Sequence, residues 1–174
     1  MLLRFLSATL VCFFWGLVGV NAQARYDIVI SEIMSDPTPQ VGLPNFEWIE
    51  IRNTSPNPIN IQNWRVGDAG GVSGPLPNFI LQPDSSAIIC GTTAATTMQQ
   101  FGRTFGVTSF PSLANEGELI FIRNAAGVTI HAVEYTPAWF NNAVKSDGGW
   151  TLEMVDTKTP CSGAGNWRGS VDVR

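Results

Sequence analysis

The chain has 174 residues, 14 acidic against 10 basic side chains, and a formal net charge of −4 at pH 7. An acidic chain without a Lys/Arg cluster is a poor electrostatic match for phosphate backbones, which argues against nucleic acid as a partner. One histidine and three cysteines are too few for a histidine-based zinc centre.

The first residues read as an export signal. Arg4 supplies a positive start, residues 5–20 form an apolar stretch, and Ala22-Gln23-Ala24 offers small residues for cleavage. Cleavage after Ala22 and after Ala24 are both permitted. The apolar stretch is shorter than the ~20 residues of a spanning helix. Cys12 lies inside it, with further apolar residues behind, and reads as part of the signal. Residues 1–24 are therefore expected to be a signal peptide and 25–174 one domain, exported to the periplasm, cell surface or medium. The mature chain has no second apolar span, so no membrane crossing is expected of it.

Residues 28–33 and 46–52 alternate with period two, the pattern of half-buried strands. Read as a regular strand, Ile28 and Ile30 share one face, and Val29 and Ile33 the other. In the second segment Ile49 and Ile51 oppose Trp48 and Glu50. Pro37, Pro39 and Pro44 withhold backbone donors, so the connection is an ordered loop. Further strands are expected at 59–66, 87–90, 117–123, 128–135 and 151–155. Residues 124–127 read as a hairpin turn, 67–77 as a loop, and 92–105 as the one place for a short helix. Residues 117–123 are apolar on both faces, as in a central strand or one covered on both sides. Trp48 and Trp64 are expected in or near the core, while Trp139, Trp150 and Trp167 sit in loop-rich surroundings. Asp147-Gly-Gly-Trp150 reads as a tight turn. Seven to nine short strands at these intervals point to an all-β sandwich.

The chemistry-bearing residues are few. His131 lies on a strand with no nucleophile phrase near it, so a strand-face histidine is favoured over a catalytic base. Glu32, Asp36, Glu47 and Glu50 could gather at one end of the sandwich, and an oxygen-only group suits Ca²⁺. Their spacing matches no EF-hand loop, and Asp36 before Pro37 also suits an Asx turn. Glu47 and Glu50 fall on opposite faces of a regular strand. Cys90 and Cys161 remain after signal removal. They could pair in an exported protein or stand as two separate buried thiols.

Several phrases recur in a fixed order: SEIM-x-DPTP-x-VGLP-x-x-EWIEI-x-NTS, Ile61-Gln62-Asn63-Trp64, SFPSLANEGELIFIR, KSDGGWTLE and PC…NWRGS. Over most of residues 26–170 this series resembles the lamin tail domain, in the form found in secreted multi-domain proteins of Bacteroidetes-type bacteria. The resemblance implies an immunoglobulin-like β-sandwich without catalytic activity of its own. Such domains usually run past Asn166-Trp167 into a Gly-Gly-Thr-Pro-Gly segment. This chain stops at Arg174, so a C-terminally truncated piece of a longer protein is one expectation. The resemblance also implies an attachment, adhesion or assembly part, with protein or carbohydrate at the cell surface as partner and no cofactor. Two alternatives stand beside it: a metal-assisted extracellular hydrolase using the acidic group, and a structural spacer in a longer exported protein.

Overall fold

A computed structural model describes residues 23–172. Residues 1–22 of the expected signal, Cys12 and the Ala22 cleavage point included, lie outside the described residues. Strand β1 (Ile28–Met34) and strand β2 (Trp48–Asn53) are rich in β-branched residues that suit a pleated, half-buried surface. They pair antiparallel, with a register shift between Ile30 and Glu32. Ser31 is thus the extra residue of a β-bulge.

The bulge corrects the expected faces of β1. Ile30 lies opposite Ile51 and Ile33 opposite Ile49, so all four share one face. Glu32 opposite Glu50 and Met34 opposite Trp48 define the other. A regular strand would have placed Ile33 with Val29. One inserted residue restores the parity and turns Ile28, Ile30 and Ile33 together into the core.

The remaining elements are β3 (Ile59–Asn60), β4 (Arg65–Gly67), β5 (Ile80–Leu81), β6 (Ser86–Gly91), helix α1 (Ala95–Met98), β7 (Thr104–Val107), β8 (Glu118–Arg123), β9 (Thr129–Tyr135), β10 (Leu152–Met154) and β11 (Trp167–Gly169). The strand expected at 59–66 is two strands. Asn63, in the left-handed region at φ 63°, turns the chain between them, and β3 and β4 enter different sheets. The helix expected within 92–105 shrinks to one turn. Most of that segment is the crossover to β7, which pairs parallel with β6.

Six strands form the large sheet in the order β11-β10-β1-β2-β6-β7; β4-β8-β9 form a second sheet and β3-β5 a third, small one. β8 is the central strand of its sheet, as its two apolar faces suggest. The main core joins Ile28, Ile30, Ile33, Ile49, Ile51 and Ile89 of the large sheet to Trp64, Ile120, Ile122 and Tyr135 from the opposite side. This is the two-layer sandwich. A smaller cluster covers the outer face of the large sheet, where Leu43, Ala94 and Met98 pack on Met34, Trp48, Ile88 and Cys90.

The Asp147–Trp150 turn docks by backbone. Gly149 donates to the Asp36 carbonyl at 2.7 Å. A Cβ on Gly148 would stand 2.0 Å from the Thr38 carbonyl oxygen, and one on Gly149 2.1 Å from that of Pro39. Both glycines also have positive φ, so only glycine fits this contact.

Trp64 is 1% exposed in the main core, whereas Trp150 is half-buried beneath the Lys145 ammonium. Trp64→Ala is expected to lower stability by ~3–5 kcal/mol and Trp150→Ala by clearly less. Denaturant midpoints of the two variants check this; equal shifts would contradict the core assignment.

Candidate functional site

The bulge also decides what faces outward. Strand alternation puts Glu32, Glu50 and Glu153 on the outer face of the large sheet. The registers align them in one row: Glu50 opposite Glu32, Glu32 opposite Glu153, Glu153 opposite Arg168. Leu43, Trp48, Ile88 and Phe101 border this row with Glu32, Glu50 and Asp172, enclosing an open groove of about 440 Å³. The indole N–H of Trp48 is buried there without a hydrogen-bond partner.

Glu32 is the tightest member of the row. The Thr151 hydroxyl donates to its Oε1 at 2.6 Å. Burial pushes its carboxyl up to about 7; Thr151 opposes the shift, while Glu50 and Glu153 add to it. Glu50 is held by the bulge itself, since the Ser31 hydroxyl donates to Glu50 Oε1 at 2.7 Å. Glu153 meets Arg168 at 3.9 Å across an open surface, a contact worth little by itself.

Two of the four carboxylates singled out by sequence, Glu32 and Glu50, are brought together. Glu47 is elsewhere: its Oε2 accepts the Leu113 N–H at 3.1 Å. Burial raises its carboxyl, and Glu118 and Asp36 add to that. Asp36 closes the expected Asx turn, accepting the Thr38 N–H at 3.2 Å. Among the described residues no three His, Cys, Asp or Glu side chains converge as a metal site. Glu153 was missed because its neighbour β1 is more than a hundred residues away in sequence. Its outward position was readable from the alternation with Leu152 and Met154.

His131 is spent inside the fold. It lies on the inner face of β9, opposite Ile122 and 1% exposed. Its Nδ1 accepts the Ile30 N–H at 3.0 Å. Its other nitrogen bonds the Pro160 backbone, which offers a carbonyl and no N–H, so Nε2–H is the donor. The ring is therefore the neutral Nε2–H tautomer. Burial lowers its pKa to about 4; the Pro160 bond opposes this, and Arg25 adds to it.

Cys90 and Cys161 do not form the bridge that sequence allowed. Cys90 is a buried free thiol and Cys161 an exposed one. Cys90 lies opposite Trp48 at one end of the large sheet. Cys161 belongs to the loop between β10 and β11, which leaves the sheet at the other end, near Ile28. β6 and β10 are also three ladder steps apart, roughly 14 Å at the usual strand spacing. A disulfide needs Cα atoms within ~7 Å.

A family model described as Lamin Tail Domain matches residues 21–137. No curated protein matches the chain. β10 and β11, which complete the large sheet, lie beyond the matched stretch.

The His131 geometry fixes a pH dependence. Its folded pKa, about 4, lies below the ordinary 6.5. The unfolded chain thus binds the extra proton first. The contribution of His131 is complete above 6.5 and is lost as pH falls from there toward 4. Relative to His131→Gln, the wild-type advantage should shrink across this window by up to ~1.4 kcal/mol per pH unit. Urea denaturation of both proteins from pH 7.5 to 4 measures it; a constant difference would contradict the buried neutral ring.

Proposed function

We propose that this chain, which belongs to the lamin tail domain family, is a non-catalytic module of an exported protein, serving attachment, adhesion or assembly at the cell surface. Proteins or carbohydrates are the partners that suit such a role.

The observation that carries this reading is the use the fold makes of its proton-transfer groups. His131, the sole histidine, is locked between the backbones of Ile30 and Pro160. Glu47 is tied to the Leu113 N–H and Glu32 to Thr151. A general base must reach a substrate proton; His131 and Glu47 reach the fold instead, and Glu32, on the groove wall, is engaged by the Thr151 hydroxyl. The groove on the outer face, with apolar sides and an acidic floor, is the surface best suited to contact. Arg4, the apolar residues 5–20 and the small residues Ala22 and Ala24 support export. No helix among the described residues is long and apolar enough to cross a membrane.

A β-lactamase reporter joined behind residue 174 and expressed in the producing cell tests the reading. The expected result is a reporter lacking residues 1–22 or 1–24, retained with the cell envelope more than a reporter carrying the signal alone. A reporter left uncleaved inside the cell, or released to the medium like the control, would overturn it.

A further inference from the structure

We propose that the Glu32 carboxyl is a proton-operated latch that holds the β10–β11 ribbon on the edge of β1. Its two states are the carboxylic acid, ribbon closed, and the carboxylate plus a proton released to solvent, ribbon loosened.

The first support is the register. Glu32 has a glutamate directly opposite on each neighbouring strand, Glu50 on β2 and Glu153 on β10. Like charges directly opposite one another destabilise a strand pair. With Glu32 ionised, both flanking pairs carry that repulsion. With Glu32 protonated, neither does.

The second support is the thinness of the joint. β1 and β2 align over six residue pairs, but β1 and β10 over only Glu32↔Glu153 and Ile33↔Leu152. One of the two pairs on β10 is therefore the like-charged one. β2 is also held on its far side by β6 over five pairs, so repulsion acts where resistance is least. The Thr151 hydroxyl, at the entry to β10, donates to Glu32 Oε1 and favours the carboxylate, so it restrains the ribbon against the repulsion that ionisation brings. Leu152 and Trp167 anchor the ribbon in the core and set its baseline protection, which Glu32 then modulates.

Among the described residues, the groups facing Glu32 leave it without a close compensating cation. From β2 comes Glu50, occupied by the Ser31 hydroxyl. From β10 come Glu153 and Thr151, and from β11 Arg168, which pairs with Glu153 at 3.9 Å. Beyond β11, Asp172 borders the same groove, whose remaining walls are apolar. The folded carboxyl, raised to about 7 from an ordinary 4.5, is consistent with this arrangement. A raised folded pKa gives stability that is complete below 4.5 and is lost as pH rises through 7.

Hydrogen exchange read by mass spectrometry on the mature chain, corrected for the intrinsic pH dependence of exchange, tests the latch. Between pH 6 and pH 8, opening of peptides covering residues 150–169 should rise about tenfold in the wild type, with peptides from β2 and β6 changing much less. Glu32→Gln, neutral and nearly isosteric, should abolish the rise, and Glu153→Gln should reduce it. A wild-type rise that persists undiminished in Glu32→Gln would overturn the proposal, as would a rise of equal size throughout the sheet. Should Glu32→Gln fail to fold, Glu153→Gln decides: the wild-type rise unchanged in it would also overturn the latch.

Discussion

One hydrogen bond organises this sandwich: the buried Ile30 N–H donating to His131 Nδ1. Ile30 stands just before the bulge, on a stretch of β1 that β10 does not reach, since that pairing covers only Glu32 and Ile33. Its N–H would otherwise be a buried donor without an acceptor, at a cost of ~1–3 kcal/mol. His131 supplies the acceptor from the opposite sheet and donates to the Pro160 backbone from its far side. A single ring thus ties together both sheets and the loop between β10 and β11. The bond also requires the imidazole to be neutral, because the imidazolium has no lone pair at Nδ1 to offer.

The bulge that this bond accompanies has consequences on both faces of the large sheet. Inward, it brings Ile33 into line with Ile28 and Ile30, opposite Ile49. Outward, it aligns Glu32 with Glu50 and frees the Ser31 hydroxyl to hold Glu50. Core quality and groove acidity are two results of one inserted residue. The C-terminal segment then completes the domain: β10 covers part of the β1 edge, and the Gly148-Gly149 turn lies against the Thr38 and Pro39 carbonyls with no room for a side chain. Two phrases that are distant in sequence, DPTP and DGGW, are neighbours because each fits the backbone of the other.

What the sequence disclosed follows from range. Alternation is local, so β1, β2, β8, β9 and β10 were visible, as were the hairpin at 124–127 and the Asx turn of Asp36. β5 and β11, of two and three residues, lie in turn-rich stretches without an alternating run around them, which hid both, and Trp167 with its core position. Thr104–Val107 was overlooked because its strand character depends on pairing with β6. The bulge left no local mark, since Ser31 is unremarkable in a strand. The row Glu50–Glu32–Glu153 was half legible: Glu32 and Glu50 stand in one phrase, but Glu153 joins them only through a long-range ladder. The cysteines failed for the same reason, because separation across a sheet is a property of strand order.

His131 is the sole histidine, so its ring nitrogens give one pair of ¹⁵N resonances, and they report the central bond directly. The expected ring is neutral at pH 7, protonated at Nε2 and bare at Nδ1, and stays neutral until the pH falls to about 4. A ring that titrates near its ordinary 6.5, or that carries its neutral-state proton on Nδ1, would contradict it.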